Sequence, residues 1–178
     1  MSDGLGEEFR CYEEVAGDIR KKIQEAGRGR IPVCVQGRLL YEWEQDLTDV
    51  HLFLLPPPQT KAKSISVKIT PTRLSVGLLG KPALFDEDLF STVDTSASFW
   101  MLEDGELHIQ LGKMRKGEIW KSAMRGHGVL NPLATEEVQK KLMLERFGEE
   151  HPGFDFSNAT FSGAAPDPRS FMGGISYK

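Results

Sequence analysis

From about Leu39 to Gly112, apolar and polar residues alternate through short segments separated by turn-forming residues. A period of two is the mark of strands that bury one face, and it constrains this chain more than any other feature. Tyr41 and Trp43 alternate with Glu42 and Glu44. Val50, Leu52 and Leu54 alternate with His51, Phe53 and Leu55, which predicts a strand buried on both faces and stopped by Pro56 to Pro58. Ile65, Val67 and Ile69 oppose Ser64, Ser66 and Lys68; beyond Pro71, Leu74, Val76 and Leu78 oppose Arg73, Ser75 and Gly77, giving a hairpin with one wet face. Ala83 to Phe85 adds a strand before the acidic cluster Asp86, Glu87 and Asp88. Phe99 to Leu102 and Leu107 to Leu111 flank Asp104-Gly105, a dipeptide suited to the positive φ angles of a type I′ turn. The total is about seven strands, with no helix between them to carry a parallel crossover, so the fold class is all-β: an antiparallel β-sandwich.

Helical spacing flanks this region. Phe9, Tyr12, Val15, Ile19 and Ile23 follow three- and four-residue steps among Glu13, Glu14, Asp18, Arg20, Lys21 and Lys22, which predicts an amphipathic helix over residues 7–26 inside an N-terminal extension of residues 1–30. Gly27 and Gly29 end it, and Arg28 and Arg30 complement its dipole. On the other side Asn131-Pro132 breaks the chain, Thr135 can cap a second helix running to about Phe147, and Gly148 closes it. Residues 157–178, rich in Gly, Pro, Ser and Asn, read as a flexible tail. Two terminal helices also allow a different role, a scaffold that forms homodimers by pairing residues 7–26 and 136–147 between subunits.

Hydrophobic residues make up 39% of the chain, enough for a core. Lys and Arg number 22 against 26 Asp and Glu, a net charge of −4 that opposes nucleic acid or an anionic membrane as the main partner. The apolar runs are too short to cross a bilayer, and Met1-Ser2-Asp3-Gly4 is unlike a secretory signal, so a cytoplasmic location is expected. Cys11 and Cys34 cannot staple a fold of this size and fit a reducing compartment.

No spacing assembles catalytic chemistry. His51, His108, His127 and His151 lie far apart in the chain, with no two at metal-ligand spacing on one element. Gly77-Leu78-Leu79-Gly80 has a strand-turn context rather than that of a phosphate loop, and no serine sits in a nucleophile elbow. The acidic cluster at Asp86 lacks the glycine and terminal glutamate of a calcium loop. The expectation is a chain without catalytic residues, cofactor or metal.

Charge is more informative. Between Pro56 and Phe85 the chain carries Lys61, Lys63, Lys68, Arg73 and Lys81 and no acid; from Gly112 to Gly128 it carries Lys113, Arg115, Lys116, Lys121 and Arg125 against Glu118 alone. On a sandwich Lys61, Lys63, Lys68, Arg73, Lys113, Arg115, Lys116 and Lys121 would build a basic surface that steers an acidic protein partner. The simpler reading is of solubilising lysines that guard strand edges.

The string from Tyr41 to Val50, with Trp43 and Gln45 inside it, resembles the opening of the CS domain of the NudC family. Phe99-Trp100-Met101-Leu102-Glu103-Asp104-Gly105 with Leu107-His108-Ile109-Gln110-Leu111 is similar to that family's Trp-containing hairpin, and Lys113 and Trp120 to its closing Lys and Trp. Lys141 to Phe147 followed by Pro152-Gly153-Phe154-Asp155-Phe156-Ser157 resembles its C-terminal helix and Pro-x-x-Asp-Phe-Ser signature. The resemblance implies a CS domain over residues 33–128, an appended segment over 129–156, and a sandwich of the kind shared with small heat-shock proteins. It further implies a non-enzymatic co-chaperone or holdase that binds unfolded or client proteins, assists heat-shock protein 90, and supports the lissencephaly WD-repeat protein in the dynein pathway. Trp43, Trp100 and Trp120 are expected to pack in or beside the core, and in the motif that begins at Pro152, Phe154 and Phe156 are expected to pin the C-terminal segment onto the sandwich while Asp155 caps or pairs locally.

Overall fold

The computed structural model describes residues 30–35 and 38–156, together with Ala159 and Pro168. The helix expected over 7–26 and nearly all of the expected tail lie outside the described residues. Among the described residues there are eight strands: β1 (Ile31–Val35), β2 (Arg38–Gln45), β3 (Asp49–Leu54), β4 (Ile65–Ile69), β5 (Arg73–Leu78), β6 (Ala83–Asp88), β7 (Val93–Glu103) and β8 (Glu106–Lys113). They form a large sheet in the order β1-β2-β3-β8-β7 and a small sheet in the order β4-β5-β6. Every pairing is antiparallel.

The strand beyond the expected seven is β1. It carries Pro32, which cannot donate to a ladder, and it occupies the sheet edge, where a strand proline is tolerated. Alternation elsewhere translates directly into layers. Tyr41, Trp43, Val50, Leu52, Leu54, Leu107, Ile109 and Leu111 from the large sheet meet Leu74, Val76 and Phe85 from the small one, and all belong to one buried cluster. Trp120, Ala123 and Met124, from an irregular segment, close the cluster where strands are lacking. Trp43 and Trp120 are fully buried, whereas Trp100 is half-buried and packs against the core.

The β7-β8 hairpin turns at Asp104 and Gly105, with φ of 49° and 80°, as the dipeptide predicts. β7 is longer than its apolar signature, because the stretch between Asp94 and Phe99 departs from regular register. There Ala97 lies so close to Gly112 that a Cβ on the glycine would come within 2.7 Å of the alanine's.

The C-terminal helix, α1, spans Pro132–Glu150. Its N-cap is Asn131, whose side chain accepts from the Ala134 amide, with Pro132 as the first helical residue. Thr135 therefore lies inside the helix. Gly148 does not close it either; it sits within the last turn, and the helix ends at His151. α1 buries Leu142, Met143 and Arg146 within the same chain, so this face is not left open for pairing between subunits. Beyond it Phe156 reaches back to Phe147, with ring centroids 5.7 Å apart, whereas Phe154 is 71% exposed and does not anchor the segment. Pro152 and Asp155 are also exposed.

Replacing Gly105 with Val should destabilise the domain by about 1–2 kcal/mol, because a branched side chain is forced into the left-handed region. Urea unfolding of the variant should show a lower midpoint at unchanged m-value.

Candidate protein-interaction surface

The basic residues singled out in the sequence do not form one surface. Lys61 and Lys63 are exposed ahead of β4, while Arg73 lies at the opposite end of the small sheet, beyond the turn that follows Ile69. Lys68 is exposed on the outer side of that sheet. Arg73 is exposed but neutralised: its Nε lies 2.7 Å from Asp86 and its Nη1 2.9 Å from Asp88. The acidic cluster is thus the partner of a strand arginine across β5 and β6. Arg115 and Lys121 are exposed, and Lys116 pairs with Glu149 of α1 at 2.5 Å.

Lys113 departs most from the expectation, because it is 8% exposed and faces inward. Its Nζ donates to Gln45 Oε1 at 3.0 Å, to the Asp46 carbonyl at 2.7 Å and to the Glu118 carbonyl at 2.8 Å. β8 carries inward side chains at Leu107, Ile109 and Leu111, so the same parity sends Lys113 inside, where three acceptors receive an ammonium with three donors. Burial lowers its pKa to about 8, against the opposing pull of Asp46, Glu145 and Glu118. Gln45, equally buried, completes the lock: its amide donates to the Trp120 carbonyl at 2.7 Å and accepts from the Trp120 N–H at 2.9 Å. α1 joins the same corner, with Lys141 Nζ donating to the Gln45 carbonyl and Glu145 accepting from the Leu47 amide. Burial raises the Glu145 pKa in spite of that amide.

The outer face of the large sheet holds an arrangement that sequence reasoning missed. Register places Glu42, Phe53, His108 and Met101 in one cross-strand row, and Glu44, His51, Gln110 and Phe99 in the next. Phe53 points away from the core yet is only 7% exposed. It is covered by the His108 ring, stacked at 4.8 Å, and by the Arg30 guanidinium, 3.4 Å from its centroid. Arg30 is held there by Glu106, at 3.1 Å, with Glu42 at 4.0 Å. A nitrogen chain continues the row: His108 Nε2 lies 3.0 Å from His51 Nδ1, and His51 Nε2 lies 3.0 Å from Asp46 Oδ2. With both rings neutral, His108 donates to His51 and His51 donates to the carboxylate. Burial, then the neighbouring His51 and Arg30, depress the His108 pKa. The two histidines, distant in sequence, therefore meet because β3 and β8 are adjacent.

Beside these stacked groups Phe99 is 45% exposed and Met101 38% exposed. The acids of the same region are Glu42, Glu44, Glu103 and Glu106. The only signal in the sequence was the outward parity of Phe99 and Met101 on the Asp-Gly hairpin, which pairs Met101 with His108.

Asp46, Asp49 and His51 bring three potential ligand atoms within 4.8 Å of one another. Their geometry is already explained without an ion. Asp46 Oδ1 accepts from the amides of Thr48 and Asp49, at 2.9 and 2.7 Å, in the β2-β3 turn, and Oδ2 receives His51. Burial pushes the Asp46 pKa up, but the bonds from His51, Asp49 and Thr48 outweigh it and hold the carboxyl well below its ordinary range. A second buried histidine contact joins Tyr41 Oη to His127 Nδ1 at 2.5 Å inside the sandwich, where burial, then Glu87, raise the Tyr41 pKa. Among the described residues no helix is long and apolar enough to cross a membrane.

Residues 39–113 match the CS domain. Human NudC domain-containing protein 2 is 32% identical over 125 residues, covering 68% of this chain and 79% of that protein. Protein BOBBER 2 of Arabidopsis thaliana is 29% identical over 158 residues, covering 68% of this chain and 54% of its own, so the chain spans about half the length of that relative. Among solved structures, the CS domain of human KIAA1068 protein aligns with TM-score 0.48 and 25% identity over 56% of this chain and 82% of its own. The chain belongs to the NudC family of CS-domain proteins.

Two outcomes follow from this geometry. Lys113→Glu should cost more than about 4 kcal/mol, because it buries a carboxylate against two carbonyls and an amide oxygen; loss of the dispersed amide spectrum of the folded state would show it. Asp46 has a folded-state pKa below its unfolded value, so its contribution is present above the ordinary value of 3.8 and is lost as pH falls from there. Asp46→Asn should therefore flatten the acid limb of a stability-pH curve measured by urea unfolding between about pH 2 and pH 6.

Proposed function

We propose that the chain is a non-enzymatic co-chaperone or holdase of the NudC kind, working in the cytoplasm, that presents the outer face of the large sheet to unfolded or client proteins. The observation that carries this reading is the pair Phe99 and Met101, exposed on a sheet whose other side is fully packed. Exposed apolar groups rimmed by polar residues are the usual sign of a protein-binding surface, and methionine adapts to partners of varied shape. The interior argues in the same direction: Trp43, Leu52, Leu54, Ile109 and Leu111 fill the space between the layers, so binding is directed to the exterior.

In this reading residues 33–128 act as the interaction domain, with 129–156 as a brace across one corner. The exposed Arg115 and Lys121 supply long-range attraction for an acidic partner, a weaker and salt-sensitive contribution. Heat-shock protein 90 and the lissencephaly WD-repeat protein of the dynein pathway are the partners that the family suggests for this surface.

The full chain, in molar excess and without ATP, should suppress the heat-induced aggregation of a labile test protein. Phe99→Ser with Met101→Ser should remove most of that suppression while the urea midpoint stays close to that of the parent, since both side chains are already partly in water. Arg115→Glu with Lys121→Glu should leave suppression intact and slow capture of an acidic partner at low salt. Full suppression by the serine variant would reject this face.

A further inference from the structure

Carboxylates border the apolar pair on the outer face of the large sheet. Glu44 closes the cross-strand row that begins at Phe99 and runs through Gln110 and His51. Glu103 follows Met101 on β7 with the same outward parity and stands directly opposite Glu106 of β8. Two like charges placed face to face across a strand pair repel. Arg30 relieves one of them, lying 3.1 Å from Glu106 and 4.0 Å from Glu42. Glu44 and Glu103 carry no ion pair among the described residues.

No strand residue in these rows is a lysine or an arginine. The face that offers Phe99 and Met101 is therefore acidic, the opposite sign to the one expected from the lysine-rich stretches. Those stretches do not reach it as free charge: Arg73 and Lys116 are paired, Lys113 is buried, and Lys68 lies on the outer side of the small sheet. Strand geometry sets the spacing. Glu103 is two residues from Met101, about 7 Å along the strand, and Glu44 is three strands from Phe99, about 14 Å across the sheet. Lysine and arginine lay their stems along apolar surface and keep the charged head in water. A segment seated on Phe99 and Met101 can thus carry basic residues, a few positions away, to both carboxylates.

We propose that this face selects, among unfolded segments, those in which a short apolar run is flanked by lysine or arginine. The apolar residues cover Phe99 and Met101, and the basic heads meet Glu44 and Glu103. This selectivity rests on the reading of the face as the client surface and adds to it the charge of the partner. Exposed ion pairs contribute little affinity, so the apolar contact holds the segment while charge sorts one segment from another and speeds its capture. Segments flanked by acids are repelled.

Two fluorescein-labelled peptides with the same leucine and phenylalanine core, flanked by lysines in one and by glutamates in the other, test this by fluorescence anisotropy with the full chain. The lysine peptide should bind about tenfold tighter at low ionic strength, and the ratio should shrink as salt is added. Glu44→Gln with Glu103→Gln should cut that ratio about three- to tenfold while the amide spectrum of the folded state is retained. Glu136→Gln with Glu137→Gln on α1, an equal change in net charge, should leave it within about twofold. Equal affinity for the two peptides, or binding of neither, would overturn the proposal. So would an equal loss in the α1 variant, which would make net charge the cause. The two readings fail separately. Phe99→Ser with Met101→Ser should abolish binding of both peptides; if both still bind with the ratio intact, the face itself is wrong, whereas equal affinities that the serine variant abolishes leave the face standing and reject the charge preference alone.

Discussion

Burial of one face of each sheet against the other is the interaction on which the rest of this molecule depends. Leu52, Leu54, Ile109 and Leu111 are fully removed from water, and each fixes the parity of its strand. A slip of one residue would send every one of them to solvent. Because parity is fixed, the identity of every outward residue is fixed too, and a polar or aromatic group on alternate positions becomes part of an ordered exterior array. The packed interior thereby determines where recognition can occur.

Parity also explains why a lysine of β8 is taken into the sandwich. Lys113 ends β8 on an inward position, and the chain meets the cost by convergent oxygen ligands instead of a counter-carboxylate in direct contact. Gln45 is the hub: its side chain touches Lys113 and Trp120, while its backbone carbonyl takes Lys141 of α1. The end of β2, the segment after β8 and the C-terminal helix are coupled through one residue. The family motif that links an early glutamine with a later Lys and Trp thus has a physical meaning, a polar lock that attaches irregular segments to a sheet edge.

Much of the fold was legible because alternation and turn chemistry act locally. The Asp104-Gly105 turn, the hairpin around Pro71 and the inward sets of β2, β3, β4, β5 and β8 follow from residues close in sequence. β1 was missed because five residues containing a proline carry no clear alternation, and the cap of α1 because Asn131 was read as a breaker, although its side chain is the cap. The candidate surface was less legible for a different reason. His51 and His108 touch only because β3 and β8 are neighbours, and Arg30 covers Phe53 from a position more than twenty residues away. Likewise the basic residues looked collective in a charge plot, but a plot does not register that Lys113 points inward or that Arg73 faces Asp86 and Asp88.

The two exteriors differ in what they offer a partner. On the small sheet Ser66 and Gly77 share one outward row and Lys68, Ser75 and Asp86 the next, with Arg73 tied to Asp86 and Asp88, so the face presents mainly polar groups, and covering it would remove little apolar area while breaking exposed ion pairs worth little in themselves. On the large sheet, Phe99 and Met101 retain apolar surface that gains about 25 cal/mol for each Å² covered. The neighbouring Phe53, His108 and Arg30 are already stacked and hydrogen-bonded, so they present a rigid floor whose ordering entropy has been spent during folding. An apolar segment arriving there loses only its own freedom. That asymmetry favours the large sheet as the recognition face.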